Sequence, residues 1–355
     1  MLKYEFRKFL TNKFFFFLLC VFTIINLCYI KSQIIPENSV QELEVYSKIK
    51  GPIINEKVSA FVKEVQQADQ TNPYYGIYLD DYDALEYAYN YEENIQQVIK
   101  KAENNVENAK LDSFEKKKNK QITRYYSHRK LEAFYHMDDE KALLEYDFSQ
   151  GIILIFLLLG VPYIRVYERK GGMDRLSATC SHGQWQVRGA KTAFLAVLTL
   201  ILSVFFSITD LIGFAVFGDL DGLGQPLYAI SDFCFTPVHM KIIAFFFVSI
   251  LIRFVGNLVI AFLIYICSAI FSNVLLIFIS GGLITAAFVL ITVYTSFSFS
   301  PVLLIKNSVL FKEYSAVNIG GFPLLMIYIL LLLYTGINIV MAFVIIKGKR
   351  DAVSR

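Results

Sequence analysis

Cysteine and histidine are scarce in this chain, and neither is grouped. Five cysteines (Cys20, Cys28, Cys180, Cys234 and Cys267) and four histidines are scattered over 355 residues, with no CxxC and no HExxH. That excludes a zinc site or a redox centre of those spacings. The polar stretch from Lys31 to Asp147 has no cysteine at all, which excludes a disulfide-stapled extracellular module. No GxxxxGK[ST] occurs anywhere, so the chain has no loop of that kind to cradle the phosphates of a nucleotide. The apolar runs contain no paired acid–histidine cluster, which argues against an intramembrane enzyme. They also lack the strict alternation of a membrane β-barrel.

What is present is hydrocarbon. Hydrophobic residues make up 55% of the chain, 32 of them Phe, more than a soluble core of this size can hide. A helix crossing a bilayer takes about 20 apolar residues. Six runs qualify: 14–30, 149–166, 192–216, 242–268, 273–296 and 323–346. Only helices and closed barrels satisfy their backbone in lipid. The expected fold class is therefore an all-α integral membrane protein, six transmembrane helices with a mostly helical extracellular domain. The first run has the basic flank of a signal peptide, MLKYEFRKFLTNK, but NLCYIKSQ offers no small-residue cleavage site, so the run is expected to stay as an anchor.

Lysine and arginine collect in three places. Lys3, Arg7, Lys8 and Lys13 stand at the N-terminus, and Arg165, Arg169, Lys170, Arg175, Arg188 and Lys191 lie between the second and third runs. Lys347, Lys349, Arg350 and Arg355 end the chain. Six spans put all three on one side, which the positive-inside rule makes cytoplasmic, both termini included. Residues 31–148 then form the extracellular domain. From Lys31 to Asp147 it carries 22 acidic and 16 basic residues, so the net charge of +3 conceals an acidic domain and a basic remainder.

Residues 1–13 place Leu2, Phe6, Phe9 and Leu10 on one helical face and Lys3, Arg7 and Lys8 elsewhere, the pattern of an interfacial helix. A plain helical start to the first span is the alternative. In the domain, EENIQQVIKKAENNVENAKLDSFEKKKNKQ reads as one long helix. NPYYGIYLDDYDALEYAYNYEEN mixes tyrosines and carboxylates, which suits a cationic amphipathic peptide and equally suits a packing surface. KKKNKQITRYYSHRK is basic with interleaved Tyr, but an extracellular position points to a solvated helix face and not to nucleic acid. Asp219 and Asp221 precede Gly222, yet the twelfth position is Ile230 where a calcium loop needs Glu. After the fifth run, PVLLI and SVLF are too short to span and read as re-entrant or interfacial helices.

The insert RVYERKGGMDRLSATCSHGQWQVRGAK, between the second and third runs, has its own periodicity. Met173, Leu176 and Cys180 recur at helical spacing, Asp174 falls in the first turn and Gly183 just past the last. A short amphipathic helix over 167–183 is expected, entered through Gly171-Gly172. Glu168, Gly171, Leu176, Thr179, Gly183 and Lys191 together resemble the signature of ABC transporter permeases of the type-2 exporter class. The six spans, the N-terminal helix and the short helices before the sixth span are similar to that family, and the large outer domain resembles a bacterial subgroup of it. Gln184-Trp185 departs from the pattern, which often has Arg after the glycine.

The resemblance implies that 167–183 is a coupling helix docked on an ABC ATPase subunit, with Glu168, Gly171, Met173, Leu176, Thr179 and Gly183 as the coupling set. It implies no cofactor in this chain, ATP and Mg being bound by the partner subunit. It also implies a second permease copy or paralogue, and placement in the bacterial cytoplasmic membrane. The substrate would be hydrophobic or amphipathic, such as a peptide, a lipid or an antibiotic, with no nucleic acid involved. Two other readings fit the residues: an insert lying on anionic lipid headgroups, and a membrane sensor or assembly protein whose outer domain binds a ligand.

Three polar residues of the spans stand out. Arg253 lies about eleven residues into the fourth run with Asn257 one turn later, and Asp210 is the one acid inside a run. An intramembrane charge is costly and defaults to a functional-site hypothesis. An Arg253–Asp210 pair, a subunit contact and a substrate path all fit. Gly281-Gly282 is expected to permit close helix packing.

Overall fold

A computed structural model of the chain describes residues 2–34, 46–67, 75–108, 112–170, 183–271, 273–295 and 298–347. In chain order the helices are α1 (Leu2–Leu10), α2 (Lys13–Gln33), α3 (Asn55–Gln67), α4 (Tyr75–Glu107), α5 (Ser113–Tyr126), α6 (Asp138–Glu145) and α7 (Phe148–Lys170). They continue with α8 (Gly183–Phe217), α9 (Ile242–Ile270), α10 (Val274–Thr295), α11 (Val302–Ile305), α12 (Val309–Lys312) and α13 (Met326–Lys347). The protein is an all-α membrane protein: α2, α8, α9, α10 and α13, together with the stretch Asp138–Pro162 made of α6 and the start of α7, are long and apolar enough to cross a bilayer. Sheet among the described residues is limited to two small antiparallel pairs, β1 (Gly51–Pro52) with β2 (Ala133–Phe134), and β3 (Ala316–Ile319) with β4 (Phe322–Leu325).

Burial sorts the spans. In α9, 67% of the apolar window is buried, against 11% in α10 and 17% in α2 and α13, so α9 is the bundle's centre and the other three present hydrocarbon outward. Helix α9 packs on α7, α8, α10, α11 and α13. The approach of α11 depends on Gly256, where an added Cβ would meet the backbone oxygen of Pro301 at 3.0 Å and Leu304 Cβ at 3.1 Å. Gly281 has the same office between α10 and its neighbours: a Cβ there would meet Leu158 and Ile264 at 2.8 and 3.2 Å. Gly282 faces open space and α10 runs unbroken through the pair.

The amphipathic start forms α1, and Asn12 caps α2 by accepting the Phe14 N–H. Phe6 and Phe9 pack edge-on against Phe194 of α8, and Phe9 stacks on Phe15. One face of α1 is thus held by the bundle and not left wholly to lipid.

Several sequence boundaries shift. The expected long helix over residues 92–121 is two helices, α4 and α5, which pack against each other. Asn104, Asn105 and Asn108 weaken the helix there, and Asp112 opens α5 by accepting the Glu115 N–H. Helix α8 begins at Gly183, nine residues before the apolar run at 192, so Gly183 opens the third spanning helix and does not close the preceding one. Residues 167–170, Glu168 included, continue α7. Gly171, Met173, Leu176 and Thr179 lie outside the described residues. Before the sixth span, α11 and α12 occur as expected, but residues 323–325 belong to β4 and the spanning helix starts at Met326. Gly320 and Gly321, at φ +59° and +81°, form the two-residue turn of that hairpin.

The polar domain is anchored to the 218–241 segment between α8 and α9. Arg129, almost fully buried, donates to the carbonyls of Tyr125, Cys234 and Thr236 and lies between the rings of Tyr126 and Tyr228. Tyr126 and Tyr87 donate to the carbonyls of Phe235 and Tyr228, and Tyr91 stacks on Tyr228. Tyr87 and Tyr91 of the Tyr-rich stretch therefore belong to a packing surface, and Arg129 of the basic stretch is buried in it. Lys50 bridges Asp219 and Asp221, which accounts for that acidic pair.

Candidate functional site

Asn26, Ser149, Gln150, Ser203, Asp210, Arg253 and Asn257, polar residues of four spans, converge where the chain breaks between α6 and α7. A helix leaves its last carbonyls without intrahelical donors, and in an apolar surround each needs one. The break at Tyr146-Asp147 is met by Arg253, whose Nη2 donates to the carbonyls of Leu144 and Tyr146, both at 3.2 Å. Arg253 lies eleven residues beyond Ile242, about 17 Å along α9 at 1.5 Å per residue. The α6–α7 corner therefore dips to that depth, and the arginine caps it. A cation at a helix C-terminus is favoured on charge as well.

Asp210 is not the ion-pair partner of Arg253. Its carboxylate accepts from Asn26 Nδ2 and from Ser149 Oγ, both at 2.6 Å, and Tyr146 in turn donates to Asn26 Oδ1 at 3.0 Å. Among the described residues the carboxylate within 4 Å of Arg253 is Asp147, at 3.9 Å, which also pairs with Lys306 at 3.1 Å. Sequence reasoning missed Asp147 because it stands outside every apolar run. Asn257 donates to Gln150 Oε1 at 3.0 Å and Ser203 Oγ at 3.4 Å. The predicted trio Arg253, Asn257 and Asp210 thus shares one buried layer that ties α2, α7, α8 and α9 together.

A second ionic layer lies nearer the polar domain. Lys312 of α12 bridges Glu145 at 2.5 Å and Asp232 at 2.8 Å, and Lys141 of α6 also meets Asp232 at 2.8 Å. Hydrogen bonds from Lys141 and Lys312 hold Asp232 below the usual carboxylate range. Burial works against the charge of Lys312, yet the hydrogen bonds to Asp232 and Glu145 outweigh it and leave this lysine above its ordinary value.

Beside these layers a cavity of about 540 Å³ opens at the head of α7. Glu145, Asp147 and Lys306 contribute charge to its lining, and Tyr29, Leu154 and Val289 contribute apolar surface. No group of three or more His, Cys, Asp and Glu among the described residues could hold a metal ion. Set against protein-family models, curated proteins and solved structures, the chain matches none of them.

Proposed function

We propose that the chain is the membrane-spanning subunit of an ATP-driven ABC transporter, moving a hydrophobic or amphipathic substrate across or out of a bacterial cytoplasmic membrane. The observation that supports this best is the length of α8, the spanning helix that follows the signature segment. Helix α8 has 35 residues, about 52 Å at 1.5 Å per residue, against a hydrocarbon core of about 30 Å. Its first residues, GQWQVRGAK, are polar, and α7 likewise ends in the polar RVYERK. The ends of both helices that flank residues 171–182 in the sequence are thus polar and basic, as a docking site for a cytosolic partner requires.

Trp185, exposed at the start of α8, lines a shallow groove with Gln186, Gly189, Ala190 and Ile346. In this reading Glu168 and the neighbouring basic groups pair with the partner's charges. Met173 and Leu176 fill its cleft, and Gly171, Thr179 and Gly183 shape the segment. The ATPase subunit binds ATP and Mg, and a second permease copy or paralogue completes the transporter. The buried Arg253 layer then fixes the α6–α7 corner so that movement of α7 and α8 is felt by the domain.

The test is ATP hydrolysis by the complex isolated from its native membrane. Met173→Asp and Leu176→Asp are expected to abolish the permease-dependent part of the turnover. Undiminished turnover in both variants contradicts the coupling assignment and favours the sensor or assembly reading.

A further inference from the structure

The cavity at the head of α7 is not used by coupling to an ATPase. At about 540 Å³ it lies within the range of small-ligand sites, about 300–1,000 Å³. Gly151 lines it, and a Cβ built there would meet no atom within 4 Å, so this turn of α7 faces the void. Tyr29 of α2 and Val289 of α10 both line the cavity and both remain exposed. In spanning helices such exposure is toward lipid, so the cavity has a lateral mouth in the leaflet next to the polar domain.

The rim is polar. Glu145 and Asp147 supply two negative charges and Lys306 a positive one, and Glu145 is already paired with Lys312, which stands outside the lining. Lys306 is half exposed, so its ammonium can exchange Asp147 for an incoming anion while Asp147 keeps Arg253 at its back. A purely anionic headgroup meets two carboxylates here, and a purely cationic one meets Lys306. A headgroup carrying a phosphate and a primary ammonium meets neither penalty, because an ammonium offers three donors to the carboxylates.

We propose that this cavity is a lateral binding site for a zwitterionic phospholipid with a primary amine. Its phosphate lies against Lys306, its ammonium against Asp147 and Glu145, and an acyl chain runs along Gly151, Leu154 and Val289. The proposal goes beyond the transporter reading and does not rest on it, since the site needs no ATPase.

The test is photolabelling of the full chain in nanodiscs with three probes bearing a diazirine in the acyl chain: phosphatidylethanolamine, phosphatidylglycerol and a long-chain primary amine. Adducts are mapped by peptide mass spectrometry to the segments holding Leu154 and Val289. Phosphatidylethanolamine is expected to label these about tenfold more than phosphatidylglycerol, a factor that corresponds to about 1.4 kcal/mol. Gly151→Leu, which fills the void without a clash at Cβ, brings labelling to background, and Val289→Trp does the same from the α10 side. Lys306→Gln moves the preference to the amine. Equal labelling by all three probes, unchanged by either filling variant, overturns the proposal and leaves only annular lipid. Stronger labelling by the amine in the unaltered chain also overturns it, in favour of a cationic amphipath. No arm measures ATP hydrolysis, so failure here leaves the transporter reading untouched.

Discussion

Asp147→Asn isolates the charge pairing of the buried arginine. At 3.9 Å and an effective dielectric of about 20, the gross attraction between Arg253 and Asp147 is about 4 kcal/mol. Removing one partner of a buried pair typically costs about 3–5 kcal/mol, because the remaining charge is stranded. Here the carbonyls of Leu144 and Tyr146 still receive the guanidinium, so a loss of about 2–4 kcal/mol is expected. Arg253→Met also destabilises, by uncapping those carbonyls, but in that background Asp147→Asn strands no cation. The double variant should therefore fall short of the sum of the two single losses by about 2 kcal/mol. The partner Lys306 is half exposed, and Lys306→Gln should cost under about 1 kcal/mol. Equilibrium unfolding in mixed micelles titrated with SDS, followed by helical circular dichroism, measures all four. Additivity within about 0.5 kcal/mol, or no loss on Asp147→Asn, refutes the reasoning.

Three further outcomes follow from named contacts. Gly256→Ala drives a Cβ into the backbone oxygen of Pro301 and should cost about 1–3 kcal/mol as overpacking, whereas Gly282→Ala, which faces open space, should leave the same SDS midpoint unchanged. Asp210→Leu strands the donors of Asn26 and Ser149 at about 1–3 kcal/mol each, and Asp210→Asn, which keeps an acceptor oxygen, should lose less by the same assay. Asp232 is held below its usual value, so its contribution is present above about pH 4 and is lost as pH falls through its lower folded value. Unfolding midpoints against pH should show an acid limb that Asp232→Asn removes, and an unchanged limb in that variant contradicts the assignment.

The spans are legible in the sequence because a run of about 20 apolar residues has few places to go but a bilayer. Their ends are less so. Gly183 reads as a helix stop, since a glycine after a periodic segment usually is one, yet it opens α8. The Gly320-Gly321 pair is a hairpin signal of the plainest sort, masked by neighbours whose short apolar pieces read as interfacial helix. Arg253 stands out as a charge in hydrocarbon. Its acceptors are backbone carbonyls 107 and 109 residues away, and carbonyls have no residue type to recognise. Asp210 is the obvious partner by elimination, but nearer donors on α2 and α7 occupy it. The arrangement of Arg129 among tyrosines is hidden for the same reason: its acceptors are carbonyls of a distant segment.

The permease proposal requires a separate ATPase that engages residues 171–182. Mild-detergent purification from the native membrane, with mass spectrometry of what stays bound, tests it most directly. A protein bearing a phosphate-cradling GxxxxGK[ST] loop is expected, retained in stoichiometric amount by the unaltered chain and lost from Leu176→Asp. A chain that purifies without any such protein contradicts it.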